Sequence, residues 1–277
     1  MDIPRSVSAL IRSALEEDIG CGDITSSLLI AEEHGSRAHI IAKDGFVLAG
    51  LPFVAEVFRI LDASLSFRTF FRDGDRVTKG DIIAEISGRT RSILSGERVS
   101  LNILQRLSGV ATLTHSYVEI IRGTKARIVD TRKTTPGLRL MEKYAVRIGG
   151  GSNHRFGLFD GILVKDNHIR AVGSIKDALA MAKRGHHLLR TEVEVETLDE
   201  LREAIEGSAD VVMLDNMPVQ LMKEAVKIAG GKVLLEASGN VSIKTVRSIA
   251  ETGVDFISVG ALTHSAPASD ISLKIVS

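Results

Sequence analysis

This sequence predicts an α/β fold, an incomplete (β/α) barrel carrying a smaller N-terminal α+β domain, and three observations lead there. From about residue 127 onward short apolar runs alternate with amphipathic stretches, each run ends in a polar cluster, and the first hundred residues follow a different, mixed pattern. Alternating strand and helix implies parallel strands, because each crossover helix returns the chain to the same end of the sheet. In a nearly closed barrel the carboxyl ends of all strands meet on one rim, so separate clusters become one site; an open doubly wound sheet would spread them along its edge.

The strands are expected at 127–130, 161–165, 192–195, 210–214, 233–236 and 255–259, with helices such as SIKDALAMAKRG, TLDELREAIEG, PVQLMKEAVKIAGG and SIKTVRSIAETG between them. Six strands fall short of the usual eight, hence an incomplete barrel. Upstream, Val7, Leu10, Ile11, Ala14 and Leu15 fall at helical spacing over residues 5–17. Two apolar runs flank Asp44-Gly45, which predicts a hairpin. Pro52 opens a helix with Phe53, Val54, Val57, Phe58 and Leu61 on one face, and Leu65, Phe67, Thr69 and Phe71 alternate as a strand. FRDGDRVTKGDIIAEISG resembles the turns of biotin- and lipoyl-carrier domains, but Lys79 sits within a turn segment and no symmetric second half follows, so it reads as structural strand-turn-strand. SGERVSLNILQRL and VATLTHSYVEIIR read as two helices separated by Ser108-Gly109. The expected division is an N-terminal domain of residues 1–108, joined by a tail of about 266–277, and a barrel of residues 109–265.

With 277 residues, 44% of them hydrophobic and 25% charged, the chain can bury a substantial core. Lys plus Arg and Asp plus Glu are 35 each, which excludes a nucleic-acid-binding field over the whole molecule and makes any functional positive charge local. A single cysteine, Cys21, excludes an internal disulfide and a cysteine-based zinc site and points to a reducing compartment. The N-terminus has no unbroken apolar export segment, and no stretch approaches the roughly 18 apolar residues needed to span a bilayer. A cytoplasmic protein without membrane or nucleic-acid partners is expected.

The polar clusters carry the chemistry. DTRKTTPGLR, residues 130–139, places Arg132 and Lys133 at a strand end, with Pro136-Gly137 opening the next helix. Arginine grips a carboxylate or phosphate through two parallel hydrogen bonds, and lysine adds a mobile point charge. Gly149 to Gly151 let backbone approach a ligand or neighbouring chain, and Asn153, His154 and Arg155 follow, with Lys165 on the next strand. Glu194 and Asp215 end two strands; such a pair can bind a divalent cation, hydrogen-bond ribose hydroxyls or stabilise developing positive charge, with Glu192 and Glu196 as alternatives on the same strand face. ASGN (237–240) and VGAL (259–262) put small residues where barrels bind phosphate through backbone N–H groups, near Ser238 and His264. His186 and His187 read as a surface turn.

Together LEEDIGCGDITS, SGERVSLN, LSGVAT, DTRKTTPGLR, EKYAVRIGGGSNHR, LVKDNHI, VEVET, LDNM, LEASGN and ISVGALTHS resemble, in order and across nearly the whole chain, the quinolinate phosphoribosyltransferases. The resemblance implies transfer of phosphoribosyl from phosphoribosyl pyrophosphate to quinolinate, with loss of carbon dioxide and pyrophosphate, giving nicotinate mononucleotide for NAD synthesis. It implies Mg2+ accompanying the pyrophosphate, its protein ligands unknown. Arg132, His154, Arg155 and Lys165 would hold the two ring carboxylates, with Thr131 lining the pocket and Arg98 supplied by the neighbouring subunit of a homodimer with a shared site, in a dimer or higher oligomer. Lys133 and His264 would face pyrophosphate, Glu194 and Asp215 the ribose, and Ser238, Gly239 and Gly260 the 5′-phosphate; Lys133, Glu194 and Asp215 are the catalytic candidates. The intact TRK and NHR motifs argue against a related branch associated with molybdenum transport. A nicotinate phosphoribosyltransferase and a non-catalytic sugar-phosphate receptor are the alternatives; carboxylates at the centre of the site argue against the receptor.

Overall fold

The computed structural model describes residues 2–185 and 188–276; the turn expected at His186 and His187 lies outside them. The first part of the chain forms α1 (Arg5–Ile19), α2 (Ile24–Leu29), β1 (Gly35–Ala42), β2 (Phe46–Val47), α3 (Leu51–Leu61), β3 (Ser66–Thr69), β4 (Arg76–Val77), β5 (Ile82–Arg89) and α4 (Thr90–Ile120). Next come β6 (Arg127–Val129), α5 (Arg139–Ile148), β7 (Ile162–Val164), α6 (Asp166–Val172), α7 (Ile175–Gly185), β8 (Thr191–Val195), α8 (Leu198–Glu206) and β9 (Val211–Asp215). The chain ends with α9 (Val219–Ala229), β10 (Leu234–Ser238), α10 (Val246–Ala250), β11 (Phe256–Ser258), α11 (Ala261–His264) and β12 (Ile271–Ile275). None of the described helices is long and apolar enough to cross a membrane.

Two compact units result. The first comprises Met1–Leu113, Thr135–Gly150 and Ser265–Ser277. Its antiparallel sheet runs β12-β1-β5-β3, with Ile40 opposite both Leu273 and Ala84. Alternation along β1 buries Ala38, Ile40 and Ala42 on one face, where Phe58, Ile83, Ile86, Ile93 and Leu104 complete the core. Segment 135–150 is anchored there by a buried carboxylate: Glu142 accepts from the Thr135 backbone N–H (3.0 Å), Thr135 Oγ1 (2.9 Å) and the Arg106 guanidinium (2.8 Å). The start of α3 is capped from a distance, because Asp73 accepts the N–H groups of Gly50 and Leu51 at 2.8 and 3.1 Å and the Tyr144 hydroxyl at 2.7 Å.

Three local expectations change. β1 and β2 do not pair; β1 lies between β12 and β5, and β2 pairs with β4. Neither Asp44 nor Gly45 takes the positive φ that a two-residue hairpin needs. Ser108-Gly109 does not divide two helices but lies inside the single 31-residue α4. There Ser108 Oγ receives the Ala49 N–H at 3.1 Å, and Gly109 lets the Pro267 carbonyl approach so closely that a Cβ would collide with it. Finally, α5 begins at Arg139 rather than at Pro136, because Gly137 turns the chain at φ 81°.

The second unit, Thr114–Thr134 and Gly151–His264, holds a six-stranded parallel sheet in the order β6-β11-β10-β9-β8-β7. It is an incomplete β/α barrel: β6 and β7 are the two ends, and a single parallel bridge ties Val129 of β6 to Ser152. Val193, Val212, Leu214, Ala237 and Ile257 are all fully buried, as expected of parallel strands covered by helices.

Candidate active site

Within the second unit the strand carboxyl ends open onto a cavity of about 600 Å³. Thr131, Arg132 and Lys133 enter it after β6, His154 and Arg155 after the Ser152 bridge, and Lys165 after β7. Opposite them stand Glu194 of β8, Asp215 and Asn216 at the end of β9, and Ser238 to Asn240 at the end of β10. A cavity of about 390 Å³ shares Thr131, Lys133 and Ser238 to Asn240 with the first and adds Gly260 and His264. Thus the parallel register gathers onto one rim residues more than a hundred positions apart.

Strand register decides which acids face inward. Glu194, Met213 and Glu236 lie level on three adjacent strands, so they share a face, and Glu192 shares it two residues earlier. Glu196 is exposed beyond the strand, where its backbone N–H donates to Glu200 at 2.7 Å.

The cations are held by protein contacts. Lys165 Nζ lies 2.9 Å from Glu194 Oε2, and its backbone N–H donates to His168 Nδ1 at 2.9 Å, which gives His168 a helix-capping role. Arg155 Nη1 donates to the Gly161 carbonyl at 2.9 Å. Burial, and then the Arg132 charge, hold the Arg155 pKa below its ordinary value. Both guanidinium-bearing side chains line the same cavity, where their like charges oppose one another. The Asn153-His154 segment is fixed by Asp130, a fully buried carboxylate that accepts from Asn153 Nδ2 (2.6 Å) and the His154 N–H (2.8 Å). Both ring nitrogens of His154 are engaged: Nδ1 accepts the Arg155 N–H at 2.8 Å, and Nε2 lies 2.9 Å from Glu192.

At the β9 and β10 ends, Asn216 (φ 51°), Gly239 (φ 92°) and Asn240 (φ 51°) occupy left-handed backbone. A side chain at Gly239 would collide with Asn216, whose amide donates to Asp215 at 2.8 Å and whose Oδ1 accepts from Asn240 at 3.0 Å. At Gly260 an added Cβ would stand 3.1 Å from His264 Nε2 and 3.2 Å from Lys133 Cδ, so glycine there permits both side chains to approach the loop. Sequence reasoning put Asn216 and Asn240 in strand-end clusters but gave neither a role. Their signal was the Asp-Asn and Gly-Asn pairs at strand ends, since asparagine tolerates positive φ.

Of the residues expected at the site, Arg98 is the exception. It lies on α4 in the first unit and lines a cavity of about 240 Å³ there with Glu17, Asp18 and Arg106.

Comparison with known proteins places this geometry. Residues 23–108 match the family "Quinolinate phosphoribosyl transferase, N-terminal domain" and residues 110–274 its C-terminal domain. A Bacillus subtilis protein described as a probable nicotinate-nucleotide pyrophosphorylase [carboxylating] is 46% identical over 260 residues, covering 94% of this chain and 90% of the relative. A chloroplastic Arabidopsis thaliana nicotinate-nucleotide pyrophosphorylase [carboxylating] is 43% identical, covering 97% and 82%. The solved nicotinate-nucleotide pyrophosphorylase of Francisella tularensis superposes with a TM-score of 0.96 at 46% identity, covering 99% of this chain and 98% of that one. Matched through both of its domains, the chain belongs to the quinolinate phosphoribosyl transferase family.

Proposed function

We propose that this enzyme transfers the phosphoribosyl group of phosphoribosyl pyrophosphate to quinolinate, releasing pyrophosphate and carbon dioxide and leaving nicotinate mononucleotide. The carrying observation is that Arg132, Arg155 and Lys165, from three separate segments, line one cavity with two carboxylates and a small-residue loop. Arg132, Arg155 and Lys165 bind the ring's two carboxylates, with Thr131 and His154 beside them. Lys133 and His264 face the pyrophosphate, while Ser238, Gly239 and Gly260 take the 5′-phosphate.

The ring nitrogen attacks the ribose carbon as its bond to pyrophosphate breaks, and Glu194 and Asp215 stabilise the oxocarbenium-like charge that develops. No strong general base is required, because the nucleophile is the nitrogen lone pair. Once quaternised, that nitrogen stabilises the carbanion left when the adjacent carboxylate departs as carbon dioxide, and a proton completes the product. The protein chiefly orients the two reactants, which explains a site built from arginine and lysine. Mg2+ would accompany the pyrophosphate as part of that substrate and offset its negative charge. Arg98 serves the cavity of a second copy, which makes a homodimer the working unit in a cytoplasmic enzyme.

The test is carbon dioxide release by Arg132→Ala and Arg155→Ala. A charged hydrogen bond contributes about 1.5–3 kcal/mol, so each should lose roughly tenfold to hundredfold in kcat/KM without unfolding. Normal turnover in either variant would remove the proposed acid pocket. Nicotinate in the same assay distinguishes the related activity, since it carries one carboxylate and yields no carbon dioxide.

A further inference from the structure

Beside the cationic side chains, the half-buried His154 meets two buried carboxyl groups, Glu192 and Glu236, to which the transfer step gives no role. His154 Nε2 is 2.9 Å from Glu192 Oε2 and 3.7 Å from Glu236 Oε2. Glu192 and Glu236 are 8% and 3% exposed, and the Oε1 atom of each is buried without any hydrogen-bond partner. Because His154 Nδ1 accepts the Arg155 N–H, the ring N–H that faces the carboxyl groups is the one on Nε2. A single imidazole N–H thus faces two buried carboxyl groups.

Two ionised carboxylates cannot share such a place cheaply. From the other elements, Asp130 adds a further negative charge, while Arg155 faces Glu192 and the Ser258 hydroxyl faces Glu236. Burial first, and then the Glu192 charge, push the Glu236 pKa well above the ordinary glutamate range.

We propose that Glu236 is held as the neutral acid, so that the pair carries no more than one negative charge and fixes His154 as a positioning residue for Arg155. Two consequences follow for the substrate, resting on the reading of quinolinate as the ring acid. The His154–Arg155 backbone bond sets where the arginine leaves the chain. The missing second charge also leaves the cavity one unit more positive, as a dianion requires.

A divalent cation held by the same three residues, whose ligand atoms all lie within 4.8 Å of one another, is the competing occupant. Infrared difference spectra of the whole enzyme against Glu236→Gln at neutral pH should show a carboxylic-acid carbonyl band in the native protein that the variant lacks. In kinetics, glutamine supplies a neutral donor of the same shape, so Glu236→Gln should keep the quinolinate KM within about threefold. Glu236→Leu, which has no donor, should raise it roughly tenfold or more, a change that fits the loss of one buried hydrogen bond. The KM for phosphoribosyl pyrophosphate should stay within about twofold in both variants, whereas a merely structural role would lower melting temperature without separating the two constants.

Absence of the acid band, equal losses in both variants, or a stoichiometric metal ion in the purified protein that both variants lose would each overturn the proposal. The spectrum needs no substrate, so it stands apart from the functional reading, which fails instead if native enzyme releases no carbon dioxide from quinolinate.

Discussion

Gly260 shows how little room the site leaves around its charges. In Gly260→Ala the new methyl must displace His264 or Lys133, which it would meet at 3.1 and 3.2 Å. A shift of a few tenths of an ångström in a positioning group should raise the KM for phosphoribosyl pyrophosphate by about tenfold, with quinolinate binding and melting temperature close to native. Asp62 makes a different kind of prediction. Its buried carboxylate accepts from Arg89 Nε at 2.7 Å, from Ser64 and from Ser92, and these bonds, Arg89 first, hold its pKa far below the ordinary range. A depressed pKa stabilises the fold above the unfolded value of 3.8 and is lost as pH falls below it. Asp62→Asn should therefore lower stability at neutral pH and flatten the acid limb of a denaturation series; an acid limb as steep as the native one would refute this.

At the scale of elements, helix α4 carries the clearest lesson. Serine followed by glycine looks like a break, yet here both serve close packing within one continuous helix. Gly109→Ala gains helix propensity but drives a methyl into the Pro267 carbonyl, and overpacking of this kind typically costs about 1–3 kcal/mol. A lowered denaturation midpoint with an unchanged slope is expected. The six parallel strands were legible within a residue or two, because apolar runs of strand length alternate with amphipathic ones. The pairing of β1 was not, since its partners β5 and β12 lie about 45 and 235 positions downstream, and no local pattern reports which strand arrives beside it. Periodicity also placed Glu192 and Glu194 on one face without saying that one is buried and the other lines the cavity.

For the whole molecule, Glu236 sets the sign of a pH effect. Its folded pKa lies above the model-peptide value of 4.5, so the unfolded chain releases its proton first as pH rises. Stability therefore declines with pH between those two values and levels off beyond the higher one. Glu236→Gln should abolish that slope, measured as unfolding free energy against pH. Assembly provides another test. If Arg98 serves a second copy, mixing Arg98→Ala subunits with Lys165→Ala subunits should regain about a quarter of native activity on statistical grounds, because one site in such a hybrid is intact. No recovery after verified subunit exchange would show that each chain completes its own site.

From the residues alone came the β/α alternation, the expectation that chemistry sits at the strand ends, and the gathering of Arg132, Lys133, Arg155, Lys165, Glu194 and Asp215, which line one cavity. Those features are written locally, in periodicity and in polar residues that close apolar runs. Tertiary structure alone decided the burial of Glu192 and Glu236, the pairing of His154 with Glu192, the continuity of α4 and the docking of β12 on β1. Each depends on what a distant segment places nearby, and burial, charge and close approach are properties of such neighbours.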